Sequence, residues 1–133
     1  MEPGLRTTSP VAPDLATVDR LKSFAPKYDA RRDVLFLRPS PPPAATSIAC
    51  DGELWLRVNV HTGEVVGLEI EDFAALFLTR HPHLQAAWET YRAAPTRTDT
   101  RNAERSFVDL LASFAHAVAT ECVRRSRREM LPA

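Results

Sequence analysis

Two stretches of strict alternation, joined by four residues, constrain this chain more than any other feature. Between Glu53 and Val60, the side chains of Leu54, Leu56, Val58 and Val60 point one way, and Trp55, Arg57 and Asn59 point the other. Between Val65 and Glu71, Val66, Leu68 and Ile70 alternate with Gly67, Glu69 and Glu71. A period of two is the pleat of a β-strand with one buried face. The link His61-Thr62-Gly63-Glu64 reads as a tight hairpin, with Gly63 where the backbone needs a positive φ. Such a pair builds a sheet, and the apolar face of that sheet must be buried against another layer.

The rest of the chain supplies both layers. Asp33-Val34-Leu35-Phe36-Leu37-Arg38 is an apolar run bounded by charges and reads as a strand buried on both faces. Pro39 and Pro41-Pro42-Pro43 cannot join a ladder, so residues 39–45 are a loop. Thr46 to Cys50 reads as a short edge strand, and Asp51-Gly52 as a turn. Three or four strands therefore form an antiparallel meander.

After Asp72, which can cap a helix, the period becomes helical. Phe73, Leu76 and Phe77 make one stripe, and His81-Pro82 breaks it. Leu84, Ala87, Trp88 and Tyr91 make a second stripe, and Ala94 to Thr98 is a connector. A last, long helix starts near Asp99 or Thr100, with Phe107, Leu110, Leu111, Phe114, Val118 and Cys122 on one side. Ahead of the sheet, residues 1–13 read as a loose arm. Asp14 caps a short helix bearing Val18, Leu21 and Phe24, which Pro26 ends. The expectation is one α+β domain over residues 1–133. Its parts are an arm and short helix at 1–26, a sheet at 27–71, helices at 72–94 and a C-terminal helix at 99–128.

Composition narrows the functional classes. A chain of 133 residues, 44% hydrophobic and 26% charged, fits one modest core. Seventeen basic residues balance seventeen acidic ones, so no global field draws the chain to nucleic acid or to an anionic membrane. Cys50 and Cys122, without a CxxC, suit a reducing compartment and thiols. The first ten residues lack the pattern of a secretory signal, and the longest apolar run is short of a membrane span. A cytoplasmic protein without membrane attachment is expected. Basic charge carried mostly by arginine, with abundant alanine and proline, matches GC-rich bacterial genomes.

One stretch carries a family resemblance. Tyr28-Asp29, then Asp33-Val34-Leu35-Phe36-Leu37, then Gly63-Glu64-Val65-Val66-Gly67-Leu68-Glu69-Ile70 follow one another up to Asp72. In that order they resemble the DUF2283 family of small bacterial proteins of unknown function. The resemblance covers residues 28–72. The proline loop and the long helices after Asp72 depart from the family pattern. The family brings no established chemistry. Some members look like the smaller, non-toxic half of toxin–antitoxin-type gene pairs, which implies a binding role at most.

The chemistry-bearing residues form no constellation. His61 falls at a hairpin tip, and His81 and His83 flank a proline, without the converging spacing of metal ligands. They read as exposed turn histidines, and no metal or cofactor is expected. Glu69 and Glu71 share one strand face about 7 Å apart by strand rise, a spacing that could serve acid–base work in a cleft. His116 and Cys122 lie on opposite sides of a helix, which disfavours a nucleophilic dyad. The four glycines make no phosphate-binding loop. Arg124, Arg125, Arg127 and Arg128 form a basic tail that complements a helix C-terminus, and nucleic acid is an unfavoured partner.

Trp55 is different. It sits beside Arg57 on the sheet face opposite Leu54 and Leu56, and the first strand has apolar groups on both faces. A second covered face is implied, screened by the N-terminal helix or by another subunit. Aromatic plus arginine is the composition of a protein interface. Trp55, Arg57, Leu35 and Leu37 are the interface candidates. The leading expectation is a non-catalytic protein-interaction module, a homo-oligomer or the antitoxin-like partner in a gene pair. The alternatives are a small enzyme using Glu69 and Glu71, and a nucleic-acid-binding regulator using the C-terminal arginines.

Overall fold

The structure is a computed structural model that describes residues 12–130, with side chains through Arg125. Most of the arm read at 1–13 lies outside the described residues. The chain opens with a 3₁₀ helix, Leu15–Ser23, and then forms five strands. These are β1 (Pro26–Asp29), β2 (Val34–Leu37), β3 (Thr46–Asp51), β4 (Leu54–Val58) and β5 (Val65–Ile70). A π turn, Phe73–Phe77, runs directly into α1 (Leu78–Arg80). Next come α2 (Pro82–Arg92) and α3 (Arg97–Met130).

The architecture is α+β, with five antiparallel strands in the order β1-β2-β5-β4-β3. Strands β3, β4 and β5 form the expected meander. Strand β2, however, pairs with β5 on its far side, so the proline loop carries the chain across the sheet. The unexpected strand is β1, at the edge beside β2. Pro26 opens it, and the first position of an edge strand is where a missing N–H does no harm.

The opening helix shows why three residues per turn suits its sequence. Leu15, Val18, Leu21 and Phe24 recur every third residue and therefore line up on one side of a 3₁₀ helix. Val18 and Leu21 are fully buried, and Leu15 and Phe24 pack on the core edge. The Asp14 carboxylate accepts from the Ala16 amide at 3.1 Å, the expected cap. The Thr17 hydroxyl accepts from the Val65 amide at 2.8 Å, which ties the helix to β5.

All the helices share one face of the sheet. Leu35, Leu37, Leu54, Leu56, Val58, Val65, Leu68 and Ile70 are buried there against Phe73, Phe77, Trp88, Phe107 and Leu111. The 3₁₀ helix joins this layer, so it does not screen the opposite face as the sequence had suggested.

Two details of the core differ from the alternation. A bulge sets Arg57 opposite Gly67 but Val58 opposite Val65, which leaves Val66 as the extra residue. Val65 takes the inward position instead, fully buried, while Val66 is only half-buried. On α3 the buried stripe is Phe107, Val108, Leu111, Ala112, Ala115, Val118 and Ala119. Leu110 lies outside it, 44% exposed. Alanines, not the large side chains alone, fill this stripe, where α3 packs on α2, on the 3₁₀ helix and on β3. One stretch of α3 is apolar enough to match a membrane span by length and composition, and its apolar stripe is the side turned into the core.

Candidate functional site

Strand register assigns every residue of the helix-free face. Paired residues share a face, so Lys27 stands with Phe36, Phe36 with Glu69, Glu69 with Trp55, and Trp55 with Ala49. One step along, Gly67, Arg57 and Ser47 form a second row. Trp55 and Arg57 are therefore on the expected face, opposite Leu54 and Leu56. Leu35 and Leu37 are not. They pair with Ile70 and Leu68 in the core and are fully buried, so they present no surface for an interface. The residues of that strand on the open side are Val34 and Phe36.

The open face carries a connected polar network. Glu69 lies between two arginines, 3.7 Å from Arg38 and 4.0 Å from Arg57. Arg57 also donates to the Ser47 hydroxyl at 2.7 Å. The Arg38 guanidinium lies 4.1 Å from the centre of the Phe36 ring, a cation–π contact that leaves Phe36 8% exposed. The Trp55 indole N–H donates to Glu71 at 2.8 Å. Gly67 makes this convergence possible. A Cβ there would stand 3.1 Å from the Cβ of Arg38 and 3.5 Å from that of Arg57. Without one, the two arginines lie side by side across the central strand and meet at Glu69.

Glu69 and Glu71 do share a strand face, as their spacing predicts. Each is engaged by its neighbours on an open sheet surface. Among the described residues, surface clefts of about 600, 380 and 250 Å³ are lined by neither glutamate, and the second runs along Lys27, Phe36 and Arg38 at the edge of the open face.

The remaining candidates are scattered. His61 and His83 are exposed. His81 is instead half-buried, with its ring 4.5 Å from both Phe77 and Phe114, a stacking role the turn reading did not foresee. Among the described residues no three His, Cys, Asp or Glu side chains group as metal ligands. His116 is exposed, whereas Cys122 packs against the core. Helix α3 continues to Met130, so Arg124 and Arg125 belong to its body and not to its last turn. Arg124 pairs with Glu121 at 3.6 Å, and Arg125 donates to the Cys50 carbonyl at 2.6 Å. The side chains of Arg127 and Arg128 lie outside the described residues.

One structural contact escaped the sequence reading. Asp72 was expected to cap the helix that follows it, but it sits at φ 49° and its side chain makes no cap hydrogen bond. Asp33, in the β1–β2 turn, does that work from forty residues away in the chain. Its carboxylate accepts from the amides of Ala74 at 2.8 Å and Ala75 at 3.0 Å, and from the Tyr28 hydroxyl at 2.7 Å. Burial opposes its charge, yet these three donors prevail and hold the carboxyl below its usual range. Tyr28 responds in the opposite sense. Its hydrogen bond to Asp33, with burial, raises the phenol. The available signal was an Asp of left-handed tolerance five residues after a Tyr, a motif that entered only through the family resemblance.

No family model, curated protein or solved structure matches this chain.

Proposed function

We propose that this chain is a non-catalytic protein-interaction module that pairs with a second copy of itself through the helix-free face of its sheet. The observation that carries the reading is the charge pattern of that face. Lys27, Arg32, Arg38 and Arg57 stand against Asp29, Glu69 and Glu71, around the aromatic groups Trp55 and Phe36. A symmetric dimer presses one patch against an identical patch, so the patch must complement itself. Groups of both signs around an aromatic centre meet that requirement, whereas a patch of one sign repels its copy. Trp and Arg are also the residues that carry most interface energy.

The enzyme alternative has less support. Glu69 is neutralised between two arginines, and Glu71 accepts from an indole. The nucleic-acid alternative loses Arg125 to the Cys50 carbonyl and Arg124 to Glu121.

Sedimentation at tens of micromolar tests the proposal. The wild-type protein is expected at twice 14.8 kDa. Trp55→Ala and Ala49→Glu are each expected to shift it toward the monomer, and Arg101→Ala, on the exposed side of α3, is not. Ala49 is exposed and opposite Trp55, so its replacement adds a charge to the patch without disturbing the core. A wild-type protein that sediments only as a monomer, or a dimer indifferent to both face variants, rejects the proposal.

A further inference from the structure

Cys50 and Cys122 are far apart in the chain and adjacent in the fold. Cys50 lies on the edge strand β3 where the register shifts between Ala49 and Asp51, and it is buried in the core at 3% exposure. Cys122 lies on α3, half-buried, packed on the same cluster. One turn further along that helix, Arg125 donates to the carbonyl oxygen of Cys50 at 2.6 Å. Residues three apart share a helix face, so the contact that seats Arg125 on Cys50 also turns Cys122 toward the same edge of the sheet. Cys122 stands close enough to Cys50 to hold its thiol well above the ordinary range.

We propose that Cys50 and Cys122 are an oxidation site, a dithiol pair that closes to an intramolecular disulfide and clamps α3 to the edge of the sheet. The two sulfurs have unequal roles. Cys122 is the more exposed and meets the oxidant first. Cys50 is shielded, and both its hydrogen bond to Cys122, in which its own thiol is the donor, and its burial push its thiol upward, which suits the resolving partner and not the attacking one. The oxidant is a low-molecular-weight disulfide, RSSR. The Cys122 thiolate attacks one sulfur, breaks the S–S bond and releases RS⁻, which leaves a mixed disulfide on Cys122. Cys50 then gives up its proton, its sulfur attacks the Cys122 sulfur, and the second RS⁻ departs. Two electrons pass from the protein to RSSR, and two RSH form after protonation. The bridge spans β4, β5, α1 and α2, a loop of about 70 residues, long enough for a large loss of unfolded-chain freedom.

The test treats the full chain with excess oxidised glutathione and maps the product without reduction. The expected product is a monomer-mass species that has lost both reactive thiols and yields one linked peptide containing Cys50 and Cys122. Its melting midpoint is expected to rise by roughly 10 °C, reversibly with dithiothreitol. Cys50→Ser is expected to stop at a glutathione adduct on Cys122, and Cys50→Ala repeats that test if the serine disturbs the core. A wild-type chain that stops at the adduct, a link between two copies, or a link that forms only in denaturant overturns the proposal.

Discussion

Asp33 is a joint between layers, and its removal is expected to cost more than an ordinary surface substitution. Asp33→Ala removes the acceptor for the Ala74 and Ala75 amides, a cap loss of about 1 kcal/mol because water can replace part of it at this surface position. It leaves the part-buried Tyr28 hydroxyl without its partner, at about 1 kcal/mol. It also places alanine at φ 57°, the left-handed region, at about 1 kcal/mol more. The sum is about 3 kcal/mol, or roughly 10 °C in melting midpoint for a chain of this size. Asp33→Asn keeps the backbone preference and one carbonyl acceptor, so about 1 kcal/mol is expected.

The assay is urea denaturation followed by tryptophan fluorescence, since Trp88 lies 5.6 Å from Tyr28, ring centre to ring centre. Measurement at two pH values adds an independent check. The Asp33 carboxyl titrates lower in the fold than in the unfolded chain, so its contribution is complete above the unfolded value near 4. That contribution is lost as pH falls through the folded value. The gap between wild type and Asp33→Asn is therefore expected to narrow below about pH 4. Tyr28→Phe combined with Asp33→Ala should cost less than the two changes added together. Asp33→Ala within about 0.5 kcal/mol of wild type, or an additive double mutant, would refute the reasoning.

Three further outcomes are expected. Gly63→Ala should destabilise by about 2 kcal/mol or more in a thermal melt, because Gly63 sits at φ 76° and a Cβ would overlap the Ala12 carbonyl. Leu111→Ala should cost about 3 kcal/mol in chemical denaturation, and Leu110→Ala less than about 1, since one is fully buried and the other 44% exposed. Arg125→Gln should cost about 1 kcal/mol and Arg124→Gln within about 0.5, and neither should alter retention on immobilised DNA or RNA at 150 mM salt, roughly a physiological ionic strength.

What was legible in the sequence followed from side chains whose partners lie nearby in the chain. The β4–β5 hairpin announced itself through alternation and Gly63, and the order of helices through apolar stripes and Pro82. What escaped depended on partners far away. Leu35, Phe36 and Leu37 are all apolar, so alternation alone could not say which faced the helices. Pairing with Leu68, Glu69 and Ile70 decides it, and register across the sheet is not written locally. Val66 lost its inward place to Val65 through a bulge of the kind that shifts every side chain beyond it. On α3, alanines counted for little in a reading weighted toward large side chains, yet Ala112, Ala115 and Ala119 are buried in its core stripe. Asp72 stood at the textually obvious cap position, and a carboxylate from another turn had already taken the role.

The polar contacts sort into two sets with different consequences. One set crosses between layers, always on the helix side. Asp33 holds the start of the π turn at the β1–β2 turn, and Thr17 holds the 3₁₀ helix to Val65. Arg80 meets Glu53 at 3.0 Å, and Arg125 meets Cys50 at the opposite edge. The second set stays within the open face, where Trp55 meets Glu71, Arg57 meets Ser47, and Arg38 and Arg57 meet Glu69. Substitutions in the first set loosen the packing of helices on sheet and so register in stability. Substitutions in the second touch none of those clasps, and the exposed ion pairs among them are worth little to the fold. A face whose side chains are ordered by one another but hold no layer in place can be altered with the core intact. Changes in assembly on altering Trp55 or Ala49 can then be separated from changes in folding by measuring both on the same variant.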